Sequence, residues 1–187
     1  AAVAIENARQ HEELSRTSAE LQDQLRLRHE LLNLSTALLS ILDQNGVFAL
    51  ITSMLKQIVD YDAMEVRLVD EDAGELYCGF ATDEDAEQML GWRTPLDEGV
   101  SGWVVRHNEA QLVNDMLADP RGALVPGTER VAQASIVVPL NVAGKVIGVL
   151  TVDRLFGRVF EEHELETVRL FAIFAAITAV GGITMTL

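Results

Sequence analysis

Cysteine is nearly absent from this chain: Cys78 stands alone among 187 residues. One thiol excludes an intrachain disulfide framework and a zinc site of the usual Cys-rich kind. Its setting, L-Y-C-G-F, alternates as a strand does, so a buried structural thiol is the favoured reading over a reactive one. Basic residues are scarce, 14 Lys and Arg against 29 Asp and Glu, for a net charge of −15. That balance opposes attraction to phosphate backbones, and nucleic acid is not an expected partner. Aromatics supply only 5% of a chain that is 49% hydrophobic, so its core is built from Leu, Val, Ile and Ala. The chain opens without Met and without a charged-then-apolar signal segment. It reads as a cytoplasmic piece of a longer protein.

Two further absences shape the ends. Residues 1 to about 43 contain no Pro and no Gly. Leu14, Ser18, Leu21, Leu25, Arg28, Leu32, Ser35, Leu39 and Leu42 recur four and three apart, a heptad seam with three polar members. From Leu27 a second stripe joins it, Leu31, Leu34, Leu38 and Ile41. The pattern predicts a coiled-coil helix that passes into a helical bundle. A single amphipathic helix lying on the domain is the alternative. At the other end, residues 170–187 carry no charge, which makes them a marginal candidate for a membrane span. Their helical continuity with the charged residues 162–169, their Ala content and the Gly181-Gly182 pair favour a bundle helix buried at a dimer interface.

Between these ends the pattern shortens. Asp43-Gln44-Asn45-Gly46 interrupts the first helix; Val47, Leu50, Ile51, Met54, Leu55 and Ile58 mark a second, ending near Asp60. Residues 64–69 and 75–80 read as a hairpin around D-E-D-A-G, and residues 83–90 as an acidic loop or short helix. A helix is expected near Val100, with acids ahead of it, and a short strand at residues 111–113. Two Pro and two Gly between Met116 and Arg130 predict a long loop of the kind that forms binding lids. Strands at 135–142 and 146–152 turn around Ala143-Gly144, and a closing helix starts near Phe160.

G-V-S-G-W-V, L-V-N-D-M, D-P-R and S-I-V-V-P-L-N-V-A-G-K-V-I-G-V-L occur here in an order and spacing that resemble the GAF domain family. The resemblance covers roughly residues 29–180. It implies an α+β fold: a six-stranded antiparallel sheet with the first, second and last helices on one face and a loop-covered pocket on the other. It also implies a division into residues 1–28, a linker helix, and 29–187, the domain with its terminal bundle helices. The opening A-A-V-A-I-E-N-A-R resembles the tail of a GAF closing helix, so another sensor domain is expected upstream.

The candidate pocket residues are Phe80, Trp92, Trp103, Asp115, Arg121 and Ser135. All but Phe80 have a plainer reading. Trp103 suits core packing, and Trp92 either caps the sheet or lines the pocket. Asp115 suits an Asx-type turn. A guanidinium such as Arg121 suits a carboxylate or phosphate, with a surface ion pair as its rival. Ser135 points inward as a hydroxyl donor or merely opens a strand.

Cyclic-nucleotide-binding members of the family carry an Asn-Lys pair, then Phe, three residues and Asp-Glu. Here Asp153-Arg154, Phe160 and Glu164-Leu165 stand at those places, and only Phe160 matches. Arg154 and Glu164 at best replace a Lys–Asp bridge. Bilin attachment lacks its placed Cys, and the family's free methionine sulfoxide reductases use a cysteine relay that one thiol does not supply. Haem would ask for a pocket His, whereas His107 and His163 fall on polar helix faces and His11 and His29 on the linker helix. No catalytic residue, metal site or identifiable cofactor is expected.

The expectation is a regulatory small-molecule-sensing domain of a larger bacterial-type signalling protein. It would act as a homodimer through its N- and C-terminal helices on an effector domain in the same parent chain, away from any membrane. The alternative is a structural dimerisation module with no ligand.

Overall fold

The computed structural model describes residues 44–82, 86–122 and 133–184, the last three by backbone only. The expected coiled coil, the acidic Asp83-Glu84-Asp85 and the greater part of the long loop therefore lie outside the described residues. Helix α1 (Gln44–Lys56) leads into the hairpin β1 (Ala63–Asp70) and β2 (Glu75–Thr82). A one-turn helix α2 (Ala86–Met89) and strand β3 (Arg93–Pro95) follow, then helix α3 (Gly99–His107) and strand β4 (Gln111–Val113). The hairpin β5 (Gln133–Val142) and β6 (Lys145–Leu155) ends in the long helix α4 (Glu162–Thr184).

These strands form one six-stranded sheet in the order β3-β2-β1-β6-β5-β4, every neighbouring pair antiparallel. The β5–β6 turn places Ala143 at φ 51° and Gly144 at φ 85°, the positive pair that a type I′ hairpin requires. Pro139 sits inside β5, but β4 pairs only with Ser135, Ile136 and Val137. Its missing N–H therefore falls where no neighbour asks for it.

Strand alternation sorts the side chains onto two faces. Met64, Val66 and Leu68 of β1 share a face with Leu150 and Val152 of β6 and with Ile136 and Val138 of β5. Helix α4 packs on this face and against α1, and α1 reaches the face through Phe48 and Thr52. Phe48 meets Phe80 at 5.3 Å, and Leu165, Val168, Ala172, Ala175, Ala176 and Ala179 form the buried stripe of α4. The run of small alanines lets the helix approach the sheet closely.

On the opposite face, Val100 and Val104 of α3 close over Val113, Val137 and Val149. Two close approaches explain glycines of G-V-S-G-W-V and of A-G-K-V-I-G-V-L. A Cβ at Gly102 would lie 2.5 Å from the Leu96 carbonyl oxygen, and one at Gly148 would strike the Arg67 carbonyl. Helix α3 ends at Asn108, whose φ of 51° and N–H to Val104 O make a left-handed cap. Among the described residues no helix is long and apolar enough to cross a membrane.

Candidate functional site

The α3 face of the sheet carries more than valines. Glu65 and Arg67 of β1 point to it, as do Thr151 and Asp153 of β6 and Ser135 of β5, because the register pairs Glu65 with Thr151 and Ser135 with Asp153. Arg67, Thr151 and Ser135 are all buried there. Ser135 donates its hydroxyl to Asp153 Oδ1 across the strands. Arg67 donates from Nη2 to the Thr94 hydroxyl and lies with its guanidinium 4.7 Å from the Trp92 ring centre. Trp92 is held in place because β2 reaches out to its segment: Cys78 N–H bonds Trp92 O at 2.9 Å and Gly91 N–H bonds Cys78 O at 2.8 Å. Yet Arg67 Nε and Thr151 Oγ1 are buried without a hydrogen-bond partner. Buried polar atoms are nearly always satisfied, and exceptions point to a water or ligand.

At the β4 end of the same face, Trp103 packs on the valine cluster, and His107 stacks on it at 4.1 Å. Arg121 lies 5.0 Å from the Trp103 ring centre. The Arg121 guanidinium is already engaged by Asp119, at 3.0 and 2.8 Å, and by Gln111 Oε1 at 3.1 Å. Those hydrogen bonds hold the Asp119 carboxyl below the usual carboxylate range. The D-P-R motif thus folds the loop back over Trp103 with an ion pair of its own.

Of the six candidates, Trp92, Trp103, Arg121 and Ser135 gather over or on the α3 face. Asp115 is exposed and accepts N–H groups from Leu117 and Ala118 at 3.1 and 3.0 Å, an Asx-type turn that shapes the loop. Phe80 does not belong with the others. Val66 pairs with Phe80 but Arg67 pairs with Cys78, so Gly79 is an extra, bulged residue. The bulge turns Phe80 to the α1 side and leaves Cys78 beside Arg67. Cys78 is buried and donates to Phe80 O at 3.4 Å.

Sequence reasoning passed over Arg67 and Thr151. Their alternation in M-E-V-R-L-V and V-L-T-V-D was visible. What was not visible is that α3 and its loops cover the face they occupy, so they look like solvent-side residues.

The residues aligned with the cyclic-nucleotide motif take up structural work on the helix side. Arg154 and Glu164 form a two-pronged pair at 2.6 and 3.0 Å, with the guanidinium 4.2 Å from the Phe160 ring centre. Burial disfavours the Glu164 carboxylate, but hydrogen bonds from Arg154 and the Glu161 N–H outweigh it, and its pKa is lowered. Asn114 of L-V-N-D-M exchanges two hydrogen bonds with the Phe160 backbone, 2.7 and 3.0 Å, which ties the end of β4 to the start of α4. Among the described residues no three His, Cys, Asp or Glu side chains are grouped to hold a metal ion.

The model of the GAF domain family matches residues 17–179. Protein YtsP of Bacillus subtilis (strain 168) is 30% identical over 101 residues, 50% of this chain and 60% of that protein. The chain thus spans about 60% of the length of the curated relative it matches. Among solved structures, residues 122 to 287 of a methyl-accepting chemotaxis protein superpose with a TM-score of 0.65 at 21% identity, over 80% of this chain and 97% of that one. The GAF domain of an Acinetobacter phosphoenolpyruvate-protein phosphotransferase gives 0.64 at 18%, covering 80% and 93%. The free methionine-R-sulfoxide reductase of Neisseria meningitidis, solved with its substrate, gives 0.62 at 22%, covering 78% and 84%. At these identities the structures testify to the fold alone. With that family model matching residues 17–179 of its 187, this chain belongs to the GAF domain family.

Proposed function

We propose that this GAF-type regulatory domain senses a small molecule on the α3 face of its sheet and reports occupancy through dimeric terminal helices. The observation that carries the reading is an apolar stripe left open on the far side of the sheet. Leu170, Ile173 and Ile177 of α4 are spaced three and four apart and are 59%, 54% and 37% exposed. Helix α1 adds Leu50 and Met54, exposed four residues apart. Three-four spacing is the seam of a helix that packs on another helix, and a second copy of α4 supplies the matching seam by symmetry. The polar face and the seam are two sides of one sheet, joined by Arg154–Glu164 and by Asn114–Phe160 where β6 and β4 meet α4. Ligand state reaches the helices only if the ligand prefers one of two helix arrangements. The polar heptad members Ser18, Arg28 and Ser35 suit a coil with two such arrangements.

Sedimentation of the double variant Leu170→Glu, Ile173→Glu tests the seam. The 187-residue chain should sediment as a dimer and the variant as a monomer with unchanged circular dichroism. A parent chain that is already monomeric, with residues 1–43 covering the stripe, would remove the dimer from the account.

One observation favours the alternative, a structural module without a ligand. Arg121 and Trp103 are occupied by Asp119, Gln111 and His107, so the β4 end of the face is filled from within. In the β1–β6 part, Arg67 Nε and the Thr151 hydroxyl are buried without a hydrogen-bond partner. As for a sulfoxide reductase-like activity, a single buried thiol supplies no second cysteine for a relay.

A further inference from the structure

The charge and the unsatisfied atoms on the α3 face narrow the chemistry of what it holds. Arg67 is 5% exposed and Thr151 4%. A buried guanidinium is costly unless a carboxylate or phosphate pairs with it. Arg67 has a neutral hydroxyl, Thr94, and an aromatic ring, Trp92, and its ion pairs with described residues number none. The Nε–H donor is buried with no acceptor, and so is the Thr151 hydroxyl. These two groups share a face. Arg67 pairs with Val149, and Thr151 stands two residues from Val149 on β6, so both groups lie on one face of neighbouring strands. A small organic acid meets both needs when its carboxylate lies at one end and a hydrogen-bonding substituent at the other. Trp92 gives it an apolar wall.

We propose that the sensed molecule is a small carboxylate whose acid group accepts from Arg67 Nε while a hydroxyl, oxo or amino substituent reaches the Thr151 hydroxyl. The proposal rests on the sensor reading above and adds the ligand's chemical class. A carboxylate completes the one buried cation of the face with the charge-assisted hydrogen bond that an Arg makes best. A phosphate is the less suited anion, because Asp153 and Glu65 also point to this face and a dianion would meet both.

The test is calorimetric titration of the 187-residue chain with L-lactate, pyruvate and L-alanine, with propionate and lactamide as controls lacking the substituent and the charge. The Nε–H proton signal of Arg67, assigned by its loss in Arg67→Gln, is followed in parallel. At least one substituted acid should bind and shift that signal, propionate should bind more weakly, and lactamide should fail. Arg67→Gln should weaken binding about a hundredfold and Thr151→Val about tenfold, with the latter keeping the fold if loss of the buried cation does not. Acids that bind equally well to both variants overturn the proposal. So does lactamide binding as well as lactate, which leaves a sensor of another ligand class. A silent titration at millimolar concentrations, with no small molecule retained by the purified protein, overturns both the proposal and the sensor reading.

Discussion

Glu164 shows how a residue that departs from a family motif can be put to a different use. Its side chain is 12% exposed and that of Arg154 is 10%. Removing one partner of such a pair strands the other charge, at a cost of about 3 kcal/mol or more. Glu164→Gln should lower stability at pH 7 by that amount in urea unfolding. The pH dependence follows from the lowered folded pKa. Glu164 contributes stability that is present above its unfolded pKa, roughly 4.3, and is lost as pH falls through the folded value. The wild type should therefore weaken below about pH 4.5 more steeply than Glu164→Gln. Asp62 and Asp119, also lowered, keep part of the acid limb in the variant. Equal acid limbs would show that the pair is not what holds the carboxylate ionised. Legibility at this scale was uneven. The Arg154–Glu164 pairing is implied by the resemblance to the cyclic-nucleotide motif, and Asp115 behaves as its residue type suggests. Phe80 parts from the other candidates because regular alternation across L-Y-C-G-F would put it with Cys78, and a bulge at Gly79 breaks that alternation. An isolated Gly in a strand pattern hints at a bulge, but it does not decide between a bulge and a regular strand residue.

Elements were more legible than residues, since long apolar runs and turn chemistry speak for themselves. The β5–β6 hairpin and the short strand β4 fall where the patterns placed them, with β5 and β6 extended by a few residues at their ends. The stripe of α1 is the instructive case. Val47, Ile51 and Leu55 are buried, whereas Leu50, Met54 and Ile58 stand exposed. The sequence shows one broad apolar surface; the sheet and α4 together divide it into a buried half and an open half. The hairpin turn offers a test at this scale. Ala143 adopts the left-handed region at φ 51°, where a Cβ is strained and Asn or Gly is favoured. Ala143→Asn should stabilise the protein by about 0.5–1 kcal/mol, read as a raised urea midpoint with an unchanged slope. A destabilised variant would mean that the turn is not of the type I′ form.

At the scale of the molecule, a sheet with the order β3-β2-β1-β6-β5-β4 separates two environments. One face packs on α1 and α4, which expose apolar residues beyond it; the other buries Arg67, Thr151 and Ser135 beneath α3 and Trp92. The family resemblance implies this arrangement in outline. It did not give which polar residues would be shut in, because burial is set by elements distant in sequence. Native mass spectrometry of the purified 187-residue chain reads both environments at once. The account predicts a dimer with one small acid retained on each protomer. A bare monomer at micromolar concentration, with nothing bound, would contradict it.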